Sequence, residues 1–240
     1  MIQNAKVFRD VDGLARAAAE ESLRIADVAV SERDRCSIAL AGGQTPTPLY
    51  ALWSEQYQER MPWDRIHLFW SDERYVPPED ESSNYRMARE NLIARVAIPP
   101  GNIHPMPTYF DEPDEAARAY EATLRKFFGT EPPSFDLQLL GVGPEGHTAS
   151  LFPGSPVLQE QVRWVVAVRA PVEPPLRLSL TLPVLNQART AFFIATGARK
   201  REIIRALREE PDSAASRYPV GMIRPAGRAV WFLDEAANGA

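Results

Sequence analysis

Cysteine is nearly missing from this 240-residue sequence, where Cys36 stands alone. One thiol cannot close an internal disulfide or supply half of a Cys-based zinc site, which excludes a disulfide scaffold and a zinc ribbon. Histidine is scarce as well, with only His67, His104 and His147. His67 lies inside an apolar run and His104 in an extended Ile-His-Pro stretch, so no metal-ligand set is expected. No run of 18 apolar residues offers a membrane-spanning helix, and Met1 to Ala29 lacks the charged-then-apolar pattern of a secretion leader. The 27 basic and 32 acidic residues give a net charge of −5 without Lys/Arg clusters. A phosphate polymer needs such clusters to release its counter-ions. The expectation is a cytoplasmic protein with no nucleic-acid or membrane partner.

What is present is the make-up of a globular domain, with 45% hydrophobic and 25% charged residues. Short β-branched or aromatic runs alternate with stretches of helical period, the pattern of βαβ units. The predicted strands are Ser37 to Ala41, Ile66 to Trp70, Asp136 to Leu140, Trp164 to Val168, Leu178 to Leu180, Ala191 to Ala195 and Ala229 to Leu233. Predicted helices cover Asp10 to Val30, Pro46 to Gln58, Tyr85 to Val96, Asp114 to Phe128 and Arg199 to Glu209. No repeat or linker divides them, so residues 1–240 read as one α/β domain with a mostly parallel sheet. Ligands of such sheets bind beyond the carboxyl ends of strands, which singles out three loops.

The first loop reads Ala41-Gly42-Gly43-Gln44-Thr45-Pro46 before a helix. Two glycines admit close approach of backbone N–H groups, and Thr45 is placed to cap the helix. That is an anion cradle, although capped glycine turns without ligands are also common. No Gly-Lys-Ser/Thr follows, which disfavours nucleoside triphosphate hydrolysis. The second loop, Ser71-Asp72-Glu73-Arg74-Tyr75, is a solvated strand cap or a site in which Arg74 forks onto phosphate and Asp72 accepts from a polyol. Downstream, Asn84 is expected chiefly to cap the next helix, with Arg86 a further candidate. The third loop, Gly141-Val142-Gly143-Pro144-Glu145-Gly146-His147, matches G-x-G-x-x-G, but Pro153-Gly154-Ser155-Pro156 stops any long helix and the next strand ends without an acid. A dinucleotide site is disfavoured on both counts. What remains is a histidine able to act as a general base, with Glu145 available to fix its tautomer, or else a histidine that caps a turn. Arg177 and Lys200, the latter at a helix start where a cation opposes the macrodipole, hint at an anionic partner.

These blocks resemble a known family. AGGQTPTPLY at Ala41 to Tyr50, FWSDERYVP at Phe69 to Pro77, SSNYRMARENL at Ser82 to Leu92, LLGVGPEGHTASLFPGSP at Leu139 to Pro156, RLSLTLPVLNQAR at Arg177 to Arg189 and GARK at Gly197 to Lys200 are similar, in order, to the 6-phosphogluconolactonases. The resemblance implies a Rossmann-like, NagB-type α/β fold and hydrolysis of a phosphosugar lactone without metal or cofactor, by a monomer or homodimer. It implies that His147 is the base, Glu145 its orienter and Asp72 a contact to sugar hydroxyls. It places the phosphate on Gly42, Gly43, Gln44, Thr45, Arg74, Arg177 and Lys200, with Arg169 in reserve. Backbone N–H groups of the glycine-rich turns would meet the oxyanion.

Three departures stand out. Glu145 occupies a position where the family usually has Asp, and Ala41 and Gln44 stand where Ser is frequent. Leu151-Phe152-Pro153 carries no acid where the related deaminases have one. An aminosugar phosphate isomerase or deaminase using Asp72 as carbon-acid base, and a non-catalytic phosphosugar sensor, are the competing readings.

Overall fold

The computed structural model describes residues 2 and 5–239. Among these the chain order is β1 (Lys6–Phe8), α1 (Val11–Arg33), β2 (Cys36–Leu40), α2 (Thr47–Glu55), β3 (Ile66–Trp70), β4 (Asp72–Arg74), α3 (Asn84–Asn91), α4 (Pro113–Phe128), β5 (Leu137–Gly141), β6 (Val165–Arg169), β7 (Leu176–Leu180), α5 (Leu182–Leu185), β8 (Thr190–Ala195), α6 (Arg201–Glu209), α7 (Pro211–Arg217), β9 (Arg228–Asp234) and α8 (Glu235–Asn238). Local chemistry sets several boundaries. Asp10 accepts from the Gly13 N–H at 2.8 Å and starts α1, while Asp34 adopts φ 59° and ends it. Gly129 follows α4 with φ 91°.

Six strands pair in parallel in the order β1-β9-β8-β5-β2-β3. Every residue of β2 and β8 is buried, as a strand covered on both faces requires. Strands β1 and β4 are not among those expected from sequence, because three residues leave no period to detect. Nor does local pattern reveal that β4, β7 and β6 leave the main sheet to form a separate antiparallel one, since that pairing is set by tertiary contacts. That sheet grows directly from the large one. Ser71, the single residue between β3 and β4, donates its N–H to the Leu40 carbonyl and accepts from the Leu180 N–H. The main apolar core runs from Ile2 to Leu233, including Trp53, Trp70, Phe192 and Leu178, and reaches the small sheet, where Phe152, Val166, Val168 and Ala170 form a second, smaller cluster.

The topology positions the site. From β2 the chain steps outward to β3 on one side, whereas β5, β8 and β9 follow on the other. The direction of winding therefore reverses between β2 and β5, and a crevice opens beyond their carboxyl ends. The loops after β2, β3, β5 and β8 all emerge at that edge because the strands are parallel.

Candidate active site

A cleft of about 190 Å³ occupies this switch point, and all three loops singled out from sequence line it. After β2, Gly43 adopts φ 80° and turns the chain. The N–H groups of Gly42, Gly43, Gln44 and Thr45 have no acceptor among the described residues, which leaves a row of donors for an anion. The loop's first residue is clamped by the fully buried Tyr50, whose hydroxyl accepts from the Ala41 N–H at 3.0 Å and donates to its carbonyl at 2.8 Å. One expectation fails here and a second narrows. Thr45 does not cap α2, because the cap position falls one residue later on Pro46, and Pro48 in the first turn lacks an N–H group that a cap would satisfy. Its residue faces the cleft instead. The Gln44 side chain is exposed and lies off the cleft wall, so that residue offers only its backbone N–H.

Beyond β3, strand alternation separates the three charges of the second loop. Asp72 and Arg74 face the cleft and Glu73 points the other way. Antiparallel pairing sets Arg74 directly opposite Arg177. Neither guanidinium has a carboxylate within ion-pair distance among the described residues, and each is tied only to carbonyl oxygens: Arg74 to Ser82, Arg177 to Pro174 at 2.9 Å. Like charges opposed across strands repel, and burial together with Arg74 lowers the Arg177 pKa. Lys200, brought in by the loop after β8, is the third cation on the wall. Burial lowers its pKa too, against the pull of Glu145. The Asp234 carboxylate anchors this loop by accepting from the Gly197 N–H at 2.9 Å.

His147 reaches the cleft over Gly143. A Cβ added at Gly143 would lie 2.1 Å from His147 Nδ1, so only glycine admits the ring. The imidazole also packs on Phe152, with ring centroids 4.5 Å apart. Glu145 Oε1 stands 3.2 Å from Nδ1 but off the line of a directed hydrogen bond, so the contact is electrostatic. Burial lowers the His147 pKa, while Glu145 and Asp72 oppose that shift. The ring is therefore neutral near pH 7, the form in which an imidazole accepts a proton. Asp72 in turn is held by the Ser150 hydroxyl at 2.7 Å, a bond that joins the second and third loops.

Several expected partners are elsewhere. Ser83, not Asn84, caps α3, accepting from the Arg86 N–H at 3.1 Å. Asn84 is thereby released to line the cleft and to donate to the Asp72 carbonyl at 2.9 Å. Arg86 pairs with Glu90, and Arg169 is exposed on β6, both away from the cleft. The Gly143 N–H is committed to the His147 carbonyl at 2.8 Å and is not free for an oxyanion. His67 and His104 hydrogen-bond each other at 3.2 Å, stacked among Phe69 and Phe127. Glu73, Tyr50 and Ser150 escaped sequence reasoning. Strand alternation would have separated Glu73 from its neighbours, but Tyr50 and Ser150 act on backbone and side chains that only folding brings near. A wider cleft of about 630 Å³ opens at the opposite edge of the sheet, yet its Arg24, Arg33, Arg189 and Arg228 are each ion-paired with Glu21, Glu32 or Asp136. Among the described residues no cation there is left for a ligand.

Fold and site thus define an α/β protein built on a parallel sheet, with a cleft at its switch point lined by Arg74, Arg177, Lys200 and His147. The sequence matches the family model of glucosamine-6-phosphate isomerases and 6-phosphogluconolactonases over residues 9–231, and the chain belongs to that family. A 6-phosphogluconolactonase of Synechocystis is 42% identical over 213 residues, spanning 88% of this chain and 86% of its own. One from Nostoc is 38% identical over 241 residues, spanning 99% and 98%. Among solved structures, 6-phosphogluconolactonase from Thermotoga maritima superposes with a TM-score of 0.82 at 32% identity, over 96% of this chain and 98% of its own.

Proposed function

We propose that the chain hydrolyses 6-phospho-D-glucono-1,5-lactone to 6-phospho-D-gluconate, the second step of the oxidative pentose phosphate pathway. The observation that carries the site assignment is that Arg74, Arg177 and Lys200 converge on one small cleft without a single ion pair among the described residues. Three unpaired cations beside a row of free N–H groups suit a dianionic phosphate.

In this reading the phosphate sits on Arg74, Arg177, Lys200 and the N–H groups of residues 42–45. Asp72, fixed by Ser150, accepts from sugar hydroxyls. The lactone carbonyl then lies beside His147, whose free Nε2 takes a proton as water attacks the carbonyl carbon. The new C–O bond forms, the ring C–O bond breaks, and the imidazolium returns its proton to the departing ring oxygen. Glu145 stabilises the imidazolium through its contact at Nδ1. Binding the non-reacting phosphate contributes to catalysis by positioning the carbonyl. Cytoplasm is the compartment this pathway and the lone buried Cys36 suit, and residues 1–240 are read as one domain around the shared core.

The test is kinetic. Arg74→Ala and Lys200→Ala are each expected to lose about 1.5–3 kcal/mol in kcat/KM, the worth of a charge-assisted contact. Unphosphorylated gluconolactone is expected to be a poor substrate that barely responds to either change. Wild-type efficiency of both variants toward the phosphorylated lactone would mean that the phosphate binds elsewhere.

A further inference from the structure

Glu73 sits between the two cleft residues of β4 yet faces the opposite way, under the start of α3, and is only 2% exposed. It has no ion-pair partner among the described residues. All its bonds are to uncharged donors. Oε1 accepts from the Arg74 N–H at 2.7 Å and the Asn84 N–H at 2.7 Å. Oε2 accepts from the Tyr85 N–H at 2.7 Å and the Ser83 hydroxyl at 3.3 Å. A carboxylate offers about four lone-pair directions, so neither substrate nor water has a place on this one.

Three of those donors belong to the cap and first turn of α3, the fourth to the backbone of Arg74 itself. The carboxylate therefore bridges the strand that carries Arg74 and the helix end beside it, and its negative charge lies at the positive end of the helix dipole. A second link runs parallel, from the Arg74 guanidinium to the Ser82 carbonyl. Burial pushes the Glu73 carboxyl up to about 7 even though the three N–H groups pull it down. Burying this charge is costly where an apolar side chain would pack at lower cost, which is a reason to look for what the charge holds in place.

We propose that Glu73 is a positioning residue that aims Arg74 at the substrate phosphate by stapling β4 to the first turn of α3. This inference rests on the assignment of Arg74 to the phosphate. The experiment is a double-mutant cycle: kcat and KM of the wild type, Glu73→Gln, Arg74→Ala and the double variant on the phosphorylated lactone, with folding checked by circular dichroism. Glu73→Gln keeps the shape but turns one acceptor into a donor facing N–H groups. It is expected to lower kcat/KM by about 10–100-fold. The double variant is expected to lie within about threefold of the weaker single variant, because both changes disable one phosphate contact. A folded Glu73→Gln enzyme at wild-type efficiency, or losses that multiply in the double variant, would overturn the inference. Arg74→Ala at wild-type efficiency would instead sink the phosphate assignment itself. Should Glu73→Gln fail to fold, Ser83→Ala removes one of the four donors and leaves the carboxylate in place. Its kcat/KM is expected to fall by about 3–10-fold, for the loss of one long hydroxyl–carboxylate bond together with the cap on the Arg86 N–H, and unchanged kinetics would again refute the staple.

Discussion

At the scale of single residues the decisive pair is His147 and Glu145. Replacing His147 with Gln keeps size and some hydrogen bonding but removes the proton acceptor, so kcat is expected to drop by about 10²–10⁴. Glu145→Gln leaves the base and weakens its charge partner, and is expected to fall between wild type and His147→Gln. Glu145→Asp should remain active. A coupled assay with 6-phosphogluconate dehydrogenase on freshly made lactone measures all three, and undiminished kcat in folded His147→Gln would leave Asp72 as the next candidate base. The pH dependence follows from burial. Because the folded environment lowers the His147 pKa, the neutral, active ring persists below the ordinary value of about 6.5. The part of the acid limb of kcat/KM that belongs to His147 is therefore expected below pH 6.5 and to vanish in His147→Gln, whereas a fall near 7 in both enzymes would belong to protonation of Glu73. An acid limb centred above pH 7 would contradict a buried neutral base.

Among the elements, two tyrosines hold the ends of adjacent strands just before functional loops. Tyr50, from α2, bonds both backbone groups of Ala41 after β2. Tyr120, from α4, accepts from the Trp70 N–H at 2.9 Å at the end of β3. Each hydroxyl is buried, and burial pushes both tyrosines above their ordinary pKa. Tyr50→Phe would strand a buried N–H and C=O, a cost of about 1–3 kcal/mol in stability. Chemical denaturation is expected to show that loss, together with a raised KM because the cradle is anchored at Ala41. An unchanged unfolding free energy would mean that water replaces the hydroxyl.

For the whole molecule, acid stability is set in part by the paired histidines between β3 and the chain that leads to α4. Burial, with His67 adding to it, lowers the His104 pKa to about 4, and burial lowers that of His67 as well. The unfolded chain takes up protons below about 6.5 that the folded chain resists, so this contribution is intact above pH 6.5 and lost as pH falls toward 4. The expected loss is on the order of 1–3 kcal/mol, reduced by partial exposure of the ring. Urea unfolding across that window should show a shallower decline for His104→Gln, whose turnover should stay near wild type because the residue is remote from the cleft. An identical slope would assign the acid loss to other groups.

Much of this protein was legible before folding. The alternation of apolar runs with helical period located the longer strands and helices, since each must bury one face, and the glycine-rich turns with His147, Asp72 and Arg74 stood out because their chemistry is local. Tertiary structure decided the rest. It paired Arg74 with Arg177 across an antiparallel sheet that sequence spacing could not reveal, because the two lie a hundred positions apart and register is set by packing. It turned Glu73 away from the cleft, gave the cap of α3 to Ser83 and so freed Asn84, and placed Gln44 in solvent. It also spent the Gly143 N–H on His147. Residue type fixes what a side chain can do, but only the folded chain fixes what stands within hydrogen-bond reach of it.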